Sequence, residues 1–117
     1  MIMKLLYPNG KEKALTLSYD DVSEHNIKLI ELLEKFNIKC TFNLNASRFN
    51  PQDEKYYSIS PDEIKKIYDN PLCEVATHSY THSILTQLPK SKCMLEILKD
   101  RQVLEKLFDR IIRGHAY

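Results

Sequence analysis

Three short apolar runs in this chain each end in a polar cluster, and that repetition limits the available folds more than any other feature. Residues 13–20 (KALTLSYD) set Ala14, Thr16 and Ser18 against Leu15, Leu17 and Tyr19 and lead into Asp20-Asp21. This is the period-two alternation of a strand. Residues 38–45 (IKCTFNLN) read as a second strand that closes on Asn43 and Asn45, and residues 72–76 (LCEVA) as a third that feeds into THSYTH, residues 77–82.

Between these runs the periodicity becomes helical. Ser23 reads as an N-cap with Glu24 in the first turn, followed by a stripe of Ile27, Ile30 and Leu33 with Leu29, Leu32 and Phe36 beside it. Asn37 closes that helix. Ser60-Pro61-Asp62-Glu63 is a second start, with serine as cap, proline at the first helical position and glutamate three residues after the cap. It carries Ile64, Ile67 and Tyr68 and stops before Asn70-Pro71. Pro89 precedes the longest helix, expected over 91–108, with a stripe of Met94, Ile97, Leu98, Leu104, Leu107 and Phe108. Residues 4–7 (KLLY) and 110–117 (RIIRGHAY) read as further short strands.

The expected order is therefore β-β-α-β-α-β-α-β, an α/β class in which helices cover a parallel sheet. In such sheets ligands gather at the carboxyl ends of the strands. Asp20-Asp21, Asn43 with Asn45, THSYTH and the segment from Arg113 to Tyr117 then fall on one rim.

Composition removes several alternatives. The chain has 117 residues, 17 basic and 16 acidic, for a net charge of +1, so it carries no basic footprint for nucleic acid. No stretch approaches the roughly 18 apolar residues of a membrane span, and the first ten residues lack a signal-peptide pattern. The default expectation is a cytoplasmic chain. Cys40, Cys73 and Cys93 are odd in number and widely spaced, against a disulfide scaffold or zinc knuckle, and two glycines cannot build a phosphate loop. Cys40 and Cys73 read as small buried strand residues.

Two adjacent carboxylates repel unless a positive centre lies near them. At a strand end both Asp20 and Asp21 can approach one centre. His78 and His82, four apart, share a face if THSYTH forms a helical turn. Two imidazoles and a carboxylate with open positions suit a catalytic divalent ion. A second carboxylate can act as base. Each signal alone has a plainer reading. An acidic pair often starts a helix, and paired histidines often sit in a polar loop.

At this point the chain resembles the polysaccharide deacetylases with a NodB homology domain, carbohydrate esterase family four. Its "LTLSYDD" is similar to the family's TFDD motif, "CEVATHSYTH" to the H-[Ser/Thr]-x-x-H motif, and "IKCTFNLN" to the strand between them. The resemblance implies a distorted β/α barrel and a divalent metal, usually zinc, held by Asp21, His78 and His82. It implies Asp20 as catalytic base, and hydrolysis of an N-acetyl or O-acetyl group on a polysaccharide or amino-sugar substrate by a metal-activated water. Arg113 and Tyr117 are the expected members of the third motif, which orients the base and forms the oxyanion hole. Tyr80 and Asn45 are candidate substrate-binding residues. Tyr56 and Tyr57 are further candidates for stacking on sugars.

The pattern also departs from the family. Val22 stands where a glycine is usual, so the turn after Asp21 must differ or be strained. Asn43 replaces a common aromatic. "RGHAY" (113–117) matches only the opening of the third motif, and the later motif with a histidine acid is absent. His115 is weighed as a substitute against the plainer reading of a polar strand-end residue, and His25 reads as a surface histidine. A β/α barrel normally needs about 200 residues or more. The expectation is therefore a single, C-terminally incomplete domain over 1–117, a partial barrel with an open sheet edge that a homo-oligomer would cover. A truncated, non-catalytic relative that keeps metal and sugar binding is the alternative reading.

Overall fold

A computed structural model describes residues 5–54 and 59–117. Tyr56 and Tyr57 lie outside them. Three parallel strands, β1 (Ser18–Asp20), β2 (Cys40–Leu44) and β3 (Cys73–Thr77), form a sheet in the order β1-β2-β3. The connections carry α1 (Asn26–Lys35) and α2 (Pro61–Tyr68), and α3 (Lys90–Phe108) follows β3. Consecutive parallel strands joined through helices are the β/α repeat expected from the alternating periodicity. Asp20 pairs with Asn43 and Asn43 with Ala76, so the polar strand ends are level with one another.

Local chemistry sets the boundaries. Ser60 and Glu63 form the expected capping box at the start of α2. Asn37 ends α1 in the left-handed region at φ 51°, with its own N–H donating to Glu34 and that of Ile38 to Leu33 at 2.9 Å, a Schellman closure. The start of α1 differs from expectation. Ser23 forms a turn, accepting the His25 N–H at its hydroxyl and the Asn26 N–H at its carbonyl, and the helix begins only at Asn26. The longest helix begins at Lys90, directly after Pro89.

Both flanking strands are corrected. The one expected over 4–7 begins outside the described residues. From Leu5 onward the chain makes a turn at Pro8–Gly10, with Asn9 and Gly10 left-handed and Tyr7 bridged to Lys11. The run over 13–20 is a strand only from Ser18. Its earlier residues have no ladder partner among the described residues, apart from the Thr41 N–H reaching Leu17, and Leu15 stays exposed. Residues 110–117 make a single parallel bridge, Thr77 to His115, along the free side of β3.

The core lies between the sheet and the helices. Phe42, Leu44, Ile64, Tyr68 and Leu104 are fully buried, with Ile30, Leu33, Val75, Phe108 and Ile112 around them. Burying one such side chain contributes roughly 1.5–3 kcal/mol. The helical stripes are narrower than their apolar residues suggest. Ile27 and Leu32 of α1, Phe36 just after it, and Met94 and Leu98 of α3 remain exposed. Cys40 and Cys73 are buried register partners with free thiols, as small strand residues should be.

Candidate metal centre

β1 ends at Asp20, and the chain turns at Asp21, whose φ is 68°. The left-handed residue required by this turn is therefore Asp21. Val22 is not left-handed, so a β-branched side chain is tolerated where the family usually has glycine. Aspartate enters this region more readily than most residues because its short polar side chain bonds locally. Asn26 anchors the turn from α1, donating to the Asp21 carbonyl at 3.3 Å and to the Tyr68 hydroxyl of α2 at 2.8 Å.

β2 supplies an amide for each carboxylate. Asn43 donates to Asp20 Oδ1 and to Ser18 Oγ, both at 2.8 Å. Asn45, fully buried, donates to Asp21 Oδ1 at 3.0 Å. Asn45 thus meets the Asp21 carboxylate from inside the fold, which leaves it no exposed surface for a substrate.

β3 delivers the histidines, but through a loop and not the expected helical turn. Ser79 and His82 both have φ 56°, and the loop closes with the His82 N–H on the Ser79 carbonyl. His78 is buried and its Nδ1 meets the Ala116 carbonyl at 3.2 Å. That contact assigns the proton to Nδ1 and leaves Nε2 as the free donor atom. His78 Nε2 lies 3.2 Å from His82 Nε2, which lies 3.4 Å from Asp21 Oδ1. All three donor atoms fall within 4.8 Å of one another. Ligand atoms around a tetrahedral zinc with bonds of about 2.0–2.1 Å stand about 3.3 Å apart. Asp21, His78 and His82 therefore fit a divalent ion, and the side chains of His82 and Asp21 are about half exposed.

Helix α3 holds this loop with two carboxylates one turn apart. Glu96 accepts the Thr81 N–H at 2.8 Å and the Thr81 hydroxyl at 3.0 Å. Asp100 is fully buried and accepts the Ala46 N–H at 2.7 Å on one oxygen and the His78 N–H at 2.8 Å on the other. Burial pushes its carboxyl up to about 7, against the pull of those two N–H groups. Sequence reasoning missed Asp100. A signal was present, since Asp100, Leu104 and Phe108 share one face at helical spacing and the other two are core residues.

The remaining expected residues are not brought to the centre. Tyr80 is 2% exposed, its hydroxyl accepting from Asn50 at 2.6 Å and its ring covered by Lys99 Nζ at 3.7 Å, so it has no face for a sugar. Arg113 lines a groove with Glu74 and Arg110 along the free side of β3, and Tyr117 is 95% exposed. Neither contacts Asp20 among the described residues. His115 meets the Thr77 hydroxyl at 2.8 Å, and burial together with His78 lowers its pKa. His25 is exposed before α1, as expected.

Known proteins share this fold. A bifunctional xylanase/deacetylase of Pseudobutyrivibrio xylanivorans is 32% identical over 87 residues, covering 74% of this chain and 13% of that protein. The Streptococcus pyogenes deacetylase PplD, solved with acetate, superposes with a TM-score of 0.76 at 18% identity, over 91% of this chain and 46% of that one. A family 4 acetyl xylan esterase of Clostridium thermocellum, solved with a cobalt ion, gives 0.65 at 19% identity, over 86% and 46%. The chain thus spans less than half the length of these relatives. Residues 7–117 match the polysaccharide deacetylase family, and the chain belongs to it.

Proposed function

We propose that this chain carries the metal-holding part of a hydrolase that removes acetyl groups from a polysaccharide or amino-sugar polymer. The observation that supports this best is the convergence of Asp21, His78 and His82 beside a second carboxylate, Asp20. Zinc suits the two-nitrogen, one-oxygen donor set, and the cobalt-bound relative supports a divalent ion. When bound, such an ion supplies Lewis-acid polarisation of a carbonyl and lowers the pKa of water.

The chain's own groups supply the rest. Asp20, one residue from a ligand, is the base that accepts a proton from water as the acetyl carbon is attacked. Asn43 orients it, leaving Oδ2 unengaged by that amide. His78 keeps its Nδ1 proton on the Ala116 carbonyl, so that Nε2 stays available.

A second reading is a metal- and sugar-binding relative without turnover. It is favoured by the placement of Arg113 in a groove on the free side of β3 and of Tyr117 in solvent, with no contact to Asp20 among the described residues. Zinc-loaded protein and an acetylated chito-oligosaccharide, with acetate release as readout, separate the two. Acetate release lost in Asp20→Asn supports the hydrolase. Tight zinc binding without acetate release supports the second reading. Zinc binding unaffected by His78→Ala removes both. Self-association through the edge of β1, which has no strand partner among the described residues, belongs to the same proposal and is read by light scattering.

Net charge +1 gives no support to a nucleic-acid partner. Among the described residues no helix is long and apolar enough to cross a membrane.

A further inference from the structure

Asp100 stands at an unusual place for a charge. It is fully buried on the face of α3 that also carries Leu104 and Phe108. A leucine there would extend the apolar stripe without the cost of burying a carboxylate. Stability alone therefore gives a poor account of it.

Its two oxygens face two different loops. Oδ1 takes the N–H of Ala46, just after Asn45, and Oδ2 takes the N–H of His78. Asn45 holds Asp21 Oδ1, His78 Nε2 faces His82 Nε2, and His82 Nε2 faces Asp21 Oδ1. These contacts close a ring: Asp21, Asn45, Ala46, Asp100, His78, His82 and back to Asp21. Each of the two loops carries or holds part of the ligand set. Asp100 bridges them from α3, beside the direct bonds of the Ser47 N–H to the Tyr80 carbonyl, the His78 N–H to the Leu44 carbonyl and the Asn50 amide to the Tyr80 hydroxyl.

Contacts from α3 also bear on the backbone of the histidine loop. Ser79 and His82 are both left-handed. Non-glycine residues in that region cost about 1–3 kcal/mol each and persist only where the surroundings over-determine them. Asp100 and Glu96 supply that constraint by fixing the N–H groups of His78 and Thr81 from one helix.

We propose that Asp100 is a positioning residue of the metal centre, setting the distance between the Asp21 side and the histidine side by clamping the amides of Ala46 and His78. The inference rests on reading Asp21, His78 and His82 as a metal site. It predicts that Asp100 acts on metal affinity and ligand geometry, beyond its effect on folding.

The test uses the 117-residue chain with Zn2+ and Co2+ as probes. Wild type, Asp100→Asn and the smaller Asp100→Ser are compared by competition titration, with circular dichroism as the check on folding. Loss of an outer group that orients ligands typically weakens metal binding about 10- to 100-fold. That loss is expected in both variants, together with a changed visible spectrum of bound Co2+. In the wild type, amide exchange at Ala46 and His78 is expected to slow when Zn2+ is added, a readout that needs no variant to fold. Folded variants that bind zinc as tightly as wild type, with a lower melting temperature only, would overturn the inference. So would exchange at Ala46 and His78 that ignores zinc. A wild type that binds no divalent ion removes the metal-centre reading itself, and the inference with it, a result distinct from the other two.

Discussion

Asn45 donates its amide to Asp21 Oδ1 at 3.0 Å while being fully buried itself. A carboxylate that is 47% exposed is thus oriented from the core side, with its outer face free. Asn45→Ala would remove this anchor and let Asp21 rotate. Zinc affinity is expected to fall about 10- to 100-fold, the usual effect of losing a group that orients a ligand. Competition titration of the folded variant checks this. Unchanged affinity would mean that the turn at Asp21 holds its carboxylate without help.

Much of this centre is legible in the sequence, because period-two runs and their polar ends are local signals. Placing the strand ends on one rim puts the Asp20-Asp21 pair near His78 and His82. The choice of Asp21 as the ligand comes from the family resemblance, and the parallel register brings the three together. The roles of Tyr80 and Asn45 were not legible. Both sit beside site residues in sequence, but which way a loop side chain points depends on what packs against it, here Lys99 over Tyr80 and the Asp21 carboxylate at Asn45. The terminal strand failed for a related reason. An apolar run becomes a full strand only where neighbouring backbone can pair with it, and residues 110–117 find one bridge. The spacing of Asp100 with Leu104 and Phe108 marks it as buried, but its partners are backbone N–H groups of residues 22 and 54 positions away, which no local pattern reveals.

Gly114 is required by close approach and not by a left-handed backbone. A Cβ there would stand 2.8 Å from the Ala76 Cβ. The Gly114 carbonyl accepts the Thr77 N–H at 3.0 Å, and the Ala116 N–H donates to Thr77 at 2.9 Å, so the clash would fall on the pairing that seats His78 against Ala116. Gly114→Ala is expected to cost about 1–3 kcal/mol, the range for overpacking. A lower midpoint in urea unfolding, with unchanged slope, is the check.

Burial pushes the Cys73 thiol up to about 11 and raises that of Cys40 as well. The thiolate is the reactive form, so at pH 8 both should react slowly with a disulfide reagent. Cys93 is only half-buried, its thiol donating to the Leu85 carbonyl at 3.0 Å. Native protein is expected to release one equivalent of thiol quickly, and the remaining two only on unfolding. Three equivalents released quickly from folded protein would contradict the packing described for β2 and β3.

The capping box of α2 gives stability a defined acid limb. Glu63 accepts the Ser60 N–H at 2.9 Å and the Ser60 hydroxyl at 2.6 Å, and these bonds hold its pKa below the usual value. A carboxyl lowered in the folded state contributes stability above its unfolded pKa, about 4.3. That contribution is lost as pH falls through the folded value. Glu63→Gln keeps an acceptor for the box but removes the charge. The variant should therefore melt below wild type at pH 6, and the gap should close as pH falls below about 4. Melting curves across that range test it; a gap constant with pH would show that the charge on Glu63 contributes nothing to the cap.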